Sequence, residues 1–215
     1  MAETMKAIVA SKPGGPDVLN VATKSVPNMQ PDEVLIKVYA AGVNGADLKE
    51  RQGKYSLPPD APDIMGLEVS GEIVDTGYRC TRFKPGDKVC ALLIGGGYAE
   101  YAVAPEAQCM PVPENVDIIE AAGIPEVFCT VWANMVDRCA LKAGETVLIQ
   151  GGTSGIGYTG IKLAKAFGAT VFATARTAEK CSAIRRFGAD CAINYREEDF
   201  AKVCHDQTTG RGVDI

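Results

Sequence analysis

Short apolar or alternating runs dominate the first half of the chain. They are MKAIVA at 5–10, EVLIKVYAAGV at 33–43, EVSGEIVDTG at 68–77, DKVCALLI at 87–94 and YAEYAVA at 98–104. Proline and glycine clusters separate them: KPGGP, SVPNMQP, SLPPDAP, FKPGD and IGGGY. Strand-length runs bounded by turn residues predict a small β barrel or sandwich.

The pattern changes after about residue 112. A short helix is expected over 115–122, broken at Ile124-Pro125-Glu126, with a longer one over 127–141. From Glu145 the chain alternates. Strands are expected at 146–150, 170–174 and 191–194, and helices at 155–167, 178–187 and 197–207. Residues 212–215 begin a further strand. Strand–helix alternation with short connections predicts a parallel sheet with right-handed crossovers. The expected division is a β domain over 1–124 and a nucleotide-binding α/β domain over 125–215. A doubly wound sheet has strand order 3-2-1-4-5-6. This chain supplies strands 1 to 3 and the start of strand 4. An apolar strand left unpaired is an exposed edge, so the sequence reads as a C-terminally truncated fragment with half a cofactor crevice.

The strongest chemical signal is VLIQGGTSGIGYTGIKLAKAFGA. A β-branched strand enters a glycine cluster and a helix leaves it. Glycines allow a tight turn and close approach of a pyrophosphate, and the helix N-terminus offers free N–H groups and partial positive charge. Gly152, Thr153, Ser154, Gly155, Ile156 and Gly157 are therefore the expected phosphate cradle, with the Ser154 hydroxyl as a further donor. An NAD site places an acid at the end of the second strand for the ribose 2′-OH. Here that position reads Thr174-Ala175-Arg176-Thr177, and no acid comes before Glu179. Arg176 and Lys180 suit a 2′-phosphate instead, so NADPH is the expected cofactor.

Composition narrows the class. The chain has 215 residues, 47% of them hydrophobic, and a net charge of -5. No Lys/Arg-rich run is present to neutralise nucleic-acid phosphates. No apolar stretch approaches the roughly 18 residues of a membrane span, and the N-terminus lacks a signal-peptide pattern. A soluble cytoplasmic protein is expected. The eight cysteines contain no C-x-x-C pair and read mostly as buried thiols.

The segments KPGGP (12–16), GVNGADLKERQGKY (42–55), PDIMGLEVSGEI (62–73), KPGDKVCALLIGGGYAEY (84–101), AAGIPEVFCT (121–130), GGTSGIG (151–157) and INYREEDF (193–200) carry a resemblance. The chain resembles the zinc-independent quinone oxidoreductase family of the medium-chain dehydrogenase/reductase superfamily, most narrowly its p53-inducible group. The resemblance implies a chaperonin-10-like β domain followed by an incomplete Rossmann sheet, with the catalytic cleft between them. It implies hydride transfer from NADPH to a quinone, and a homodimeric parent. It places Asn44, Asp47 and Tyr55 near the cleft and Thr130 at the nicotinamide side. It places Ser154, Lys180 and Tyr195 at the phosphates. Members of the family often carry Gly where this chain has Arg176.

Zinc members of the superfamily carry Cys at the position of Asn44, a Gly-His-Glu motif where this chain reads Gly66-Leu67-Glu68, and a four-cysteine lobe. All three features are missing, a catalytic zinc needs about three protein ligands, and the single histidine, His205, lies late in the chain. No metal is expected. Tyr55 or Asn44 would then donate to the developing oxyanion. The plainer readings are a surface tyrosine and a turn residue beside Gly45. Glu68, in an apolar run, needs a buried partner and is expected to tie two loops together. Two other functions stay open: enoyl reduction on the same scaffold, and cofactor binding without catalysis.

Overall fold

The computed structural model describes residues 3–56, 58–59 and 61–215. Leu57 and Asp60, in the Pro-rich separator, lie outside the described residues, as do Met1 and Ala2. The chain divides into two compact units, 1–126 and 127–215.

The first unit is β-rich. Strands β1 (Thr4–Ala10) and β2 (Leu19–Ser25) form an antiparallel hairpin. Strands β3 (Glu33–Ala41), β4 (Glu68–Thr76), β5 (Lys88–Leu92), β6 (Tyr101–Pro105) and β7 (Cys109–Pro111) form an antiparallel sheet of order β6-β3-β4-β5-β7. A bridge from Ala7 to Ala99 links the hairpin to the segment before β6. Val34, Ile36, Val69, Ile73, Val89 and Ala91 fill the core of the sheet. Between β3 and β4 runs a short helix, α1 (Gly45–Arg51).

The second unit is a parallel sheet. Strands β8 (Thr146–Ile149), β9 (Thr170–Ala175) and β10 (Cys191–Asn194) lie in the order β10-β9-β8. Helices α3 (Gly155–Ala166), α4 (Ala178–Phe187) and α5 (Phe200–Gln207) alternate with them. Ile161, Ala164, Val171, Ala173 and Ile184 pack between helices and sheet. A β domain followed by a parallel α/β sheet is thus the architecture, and its strand order is the 3-2-1 half of a doubly wound fold.

Several expected elements differ. Residues 127–141 do not form one helix. Helix α2 (Pro125–Val131) starts on the proline expected to break it, because a first-turn proline has no intrahelical N–H to lose. A π-helical turn (Trp132–Arg138) follows. The helix expected over 115–122 is a 3-10 turn at Glu120–Gly123, and α5 begins at Phe200 rather than 197, capped by Asp199. Residues 212–215 are not a regular strand. They run along the edge of β8, with Asp214 N donating to Thr146 O and Leu148 N to Ile215 O, both at 2.8 Å. Among the described residues no helix is long and apolar enough to cross a membrane.

Candidate functional site

The glycine turn is built as the sequence suggests, with one difference in detail. Ser154 is the N-cap of α3. Its Oγ accepts from Gly157 N at 3.0 Å and itself donates to Gly151 O at 2.9 Å. The hydroxyl is therefore engaged in holding the turn, while the remaining first-turn amides of α3 have no intrahelical acceptor. Gly157 shows why the turn needs glycine. A Cβ there would stand 2.4 Å from Gly151 O and 2.7 Å from Gly152 Cα, both rigid backbone. Gly152 is buried, whereas Thr153, Ser154, Gly155 and Ile156 are exposed.

Arg176 and Lys180 follow β9 on the same side of the sheet, at its carboxyl end. Thr177 caps α4, its Oγ1 accepting from Lys180 N at 3.3 Å. Both cations are exposed, and neither forms an ion pair among those found in the described residues. Tyr195 leaves the end of β10 with its backbone N–H on Ala175 O at 3.1 Å and its side chain exposed. The strand ends thus bring Arg176 and Tyr195 to one rim.

Thr130, on α2, lines a cavity of about 300 Å³ together with Ile156, Gln150, Asn134, Cys139 and Ile215. The structure therefore joins Thr130 to the glycine turn. Asn134 escaped the sequence reading. It donates from Nδ2 to Thr130 O at 2.8 Å and accepts from Arg138 at 3.0 Å. The π-helical turn carries it, and such bulges recur at functional sites. The only signal available was its place one helical turn after Thr130.

In the first unit, Asn44 is the N-cap of α1 rather than a free turn residue. Its backbone N–H donates to Asp47 Oδ2 at 2.7 Å, and its Nδ2 donates to Glu68 Oε1 at 2.8 Å. Glu68 Oε2 accepts from Glu126 N at 2.9 Å. Glu68 is thus the tie expected of it, joining the start of α1 to the start of α2. Burial pushes the Glu68 carboxyl above the usual range and the nearby Asp47 adds to this, while the two donated hydrogen bonds pull it back in part. Gly42 leaves room for that carboxylate: a Cβ there would meet Glu68 Oε1 at 2.0 Å. Asp47 is 2% exposed. Tyr55 lies just past the end of α1 and is 44% exposed.

Among the described residues no group of three His, Cys, Asp or Glu side chains is placed to hold a metal ion. Leu67 is buried and apolar, and Asn44 presents an amide already engaged with Glu68. His205 is exposed, with Nδ1 3.0 Å from Gly210 O.

Comparison with known proteins follows the same division. The alcohol dehydrogenase GroES-like domain matches residues 30–114, and the zinc-binding dehydrogenase family matches residues 155–215. The first unit is therefore the chaperonin-10-like β domain. The chain is 34% identical to a quinone oxidoreductase of Homo sapiens over 213 residues, which is 98% of this chain and 65% of that protein. It is 38% identical over 207 residues to a chloroplastic NADPH-dependent alkenal/one oxidoreductase of Arabidopsis thaliana, covering 91% of this chain and 53% of that one. A solved NAD-dependent alcohol dehydrogenase superposes with a TM-score of 0.85 at 34% identity, over 97% of this chain and 69% of the other. The chain thus spans about 65% of the length of the human relative. Matched nearly end to end at this identity, with the same β domain and a closely superposable fold, the chain belongs to the medium-chain dehydrogenase/reductase superfamily.

Proposed function

We propose that the protein is an NADPH-dependent quinone reductase that works without zinc, its two units being 1–124 and 125–215 in the sequence division. The observation that carries this reading is the acid-free, cationic end of β9. Exposed Arg176 and Lys180 stand where an NAD site would place a carboxylate, beside a glycine turn that a single Cβ would block. That cradle fits a dinucleotide pyrophosphate. Gly152 to Gly157 and the N-terminus of α3 would hold it, and Arg176, Lys180 and Tyr195 the adenosine phosphate. Thr130 and Asn134 would border the nicotinamide.

When bound, the cofactor supplies a hydride. The chain's own residues must position a quinone and stabilise the charge that develops on its oxygen. The Asn44 carboxamide is a preorganised donor, because Glu68 and the helix cap fix it before substrate arrives. Tyr55 offers a second hydroxyl from a neighbouring loop. Asp47 orients Asn44 through the backbone. The donor set supports a zinc-free reading: Asn44 and Leu67 bring no thiolate or imidazole. Quinones are the proposed substrate class because the human relative carries that name. The Arabidopsis relative's name favours a second reading, reduction of an activated carbon–carbon double bond.

Steady-state assays with a quinone and an enoyl thioester test the choice. Faster turnover of the quinone with NADPH is expected, and turnover of the enoyl substrate alone would replace this reading with the second. Lys180→Ala is expected to weaken NADPH binding more than NADH binding. Equal losses would remove the 2′-phosphate role. The proposed protein is cytoplasmic and homodimeric, with a small-molecule partner only. Sedimentation of the purified protein checks the dimer.

A further inference from the structure

Strand β9 reads TVFATA and is buried from Val171 to Ala175. Among these buried positions stands one hydroxyl, Thr174, 3% exposed. Packing does not ask for it, because valine has the same branched shape and the same preference for a strand. A buried hydroxyl needs a partner, and Thr174 has one outside its own strand. Its Oγ1 accepts from Gly151 N at 3.2 Å, and its carbonyl oxygen accepts from Gly152 N at 2.9 Å. The first two residues of the glycine turn therefore hang on a single residue of β9.

The turn also lies directly against β9 and α4. A Cβ at Gly152 would stand 3.1 Å from Ala173 Cβ and 2.8 Å from Ile184 Cγ2. The bonds inside the turn do not involve Thr174. Ser154 N and Oγ both donate to Gly151 O, at 3.0 and 2.9 Å, and Gly157 N donates to Ser154 Oγ at 3.0 Å. The turn thus keeps its shape by itself, and Thr174 fixes where that shape sits relative to β9. Arg176 comes two residues later, and Ala175 O between them accepts from Tyr195 N at 3.1 Å. Asn194 fixes the course of the chain through Tyr195. Its N–H donates to Glu198 Oε2 at 3.0 Å, and its Oδ1 accepts from Arg196 N at 3.2 Å. Residues 174 and 175 therefore join the glycine turn to the rim that carries Arg176 and Tyr195.

We propose that Thr174 is a positioning residue that sets the spacing between the glycine turn and the Arg176–Lys180 rim, and through that spacing selects a dinucleotide bearing a 2′-phosphate. The proposal rests on the NADPH reading. Thr174 is too buried to touch a ligand, so it acts by geometry. NADPH would be held at two places at once, its pyrophosphate at the turn and its 2′-phosphate at the rim. Two linked contacts reinforce each other only when their separation matches that of the sites. A dinucleotide without the 2′-phosphate draws less from the rim, so a change of spacing costs it less.

Thr174→Val removes the bond to Gly151 N and keeps the branched shape. In the ligand-free protein the Gly151 amide should then exchange with deuterium about tenfold faster, the scale of one lost hydrogen bond. The Val171 amide, held by Asp190 Oδ2 at 2.7 Å near the start of β9, should not change. An unchanged Gly151 rate overturns the proposal without any cofactor present. Thr174→Ala leaves Gly151 N facing space rather than a methyl and should give the same pattern, should the valine variant not fold.

Titrations of both variants then compare three ligands. The Kd of NADPH should rise about fivefold and that of NADH less than about twofold, because only NADPH spans both sites. Adenosine 2′-phosphate reaches the rim without the turn, and its Kd should not move. Equal losses for NADPH and NADH overturn the role in selection. Lys180→Ala should cost NADPH less in the Thr174→Val background than in the parent, since coupled sites are not additive; additive losses overturn it as well. Thr174→Ser keeps the hydroxyl and should restore the parent's ratio of NADPH to NADH affinity. A serine variant with the valine variant's ratio assigns the effect to packing and overturns the proposal. A parent that binds NADPH no more tightly than NADH removes the NADPH reading, and selection by Thr174 with it, while the Gly151 exchange rate separates that failure from failure of the tie.

Discussion

The Asn44 carboxamide and the Glu68 carboxylate meet at 2.8 Å, and the second Glu68 oxygen takes the backbone N–H of Glu126 at 2.9 Å. One buried side chain therefore fixes both the proposed oxyanion donor and the first turn of α2. Removing it leaves two donors without acceptors, at about 1–3 kcal/mol for each that stays buried. Glu68→Ala should lower both unfolding free energy and quinone turnover. Glu68→Gln should lie between Ala and the parent, because its one carbonyl can accept only one of the two donors well. Urea denaturation and kcat/KM measured on both variants check the order, and an Ala variant as stable as the parent would show that the tie carries no weight.

Gly157 and Gly45 make a contrasting pair. The missing Cβ at Gly157 is demanded by Gly151 and Gly152 backbone, whereas nothing lies within 4 Å of a Cβ at Gly45, the first residue of α1. Gly157→Ala should destabilise by about 1–3 kcal/mol, the usual scale of overpacking, and should abolish dinucleotide binding. Gly45→Ala should stabilise by about 0.4–1 kcal/mol, because a compatible alanine restricts the unfolded chain. Thermal unfolding and NADPH titration separate the two outcomes.

How far the sequence reveals this fold depends on where each signal comes from. The α/β half is legible because its strands are buried on both faces and its helices carry apolar stripes, as with Ile161 and Ala164 on α3. The glycine turn is legible because its reason is local. Helix α1 is not: its buried residue is Asp47, so no apolar period marks it. Strand β2 is hidden in the same way, with Val21 68% exposed. Strand β7 has only three residues. The proposed site divides along the same line. Arg176 and Lys180 can be named from their distance to the glycines, but the bond between Asn44 and Glu68 depends on how β4 returns past α1. Asn134 requires the π-helical turn, and no local pattern announces it.

Glu106 gives a prediction in acid. Its carboxylate accepts backbone N–H groups from Thr81, Arg82 and Phe83, at 2.7 to 3.1 Å through Oε1 and Oε2. Burial alone would raise this carboxyl. The three amides and the nearby Arg82 outweigh burial and hold it below the usual range. A depressed folded value means that the folded state binds fewer protons than the unfolded one. The stability it contributes is therefore present above the unfolded value of about 4.3 and lost as pH falls through the folded value. Glu106→Ala should lower Tm by several degrees at pH 7, and the gap to the parent should close toward pH 3. A gap that stays constant over this range would assign the effect to packing rather than charge.

Glu50 has the opposite sign. Its carboxyl is raised, first by burial and then by the Asp47 charge, so the folded state binds more protons than the unfolded one between the two values. Stability then falls as pH rises from the unfolded value of about 4.3 through the folded one. Glu50→Gln removes the ionised form and should leave the protein more stable than the parent at pH 8, with the two converging near pH 4. Denaturation midpoints at pH 4 and pH 8 check the sign. A variant less stable than the parent at pH 8 would mean that Glu50 is held by a favourable partner when ionised.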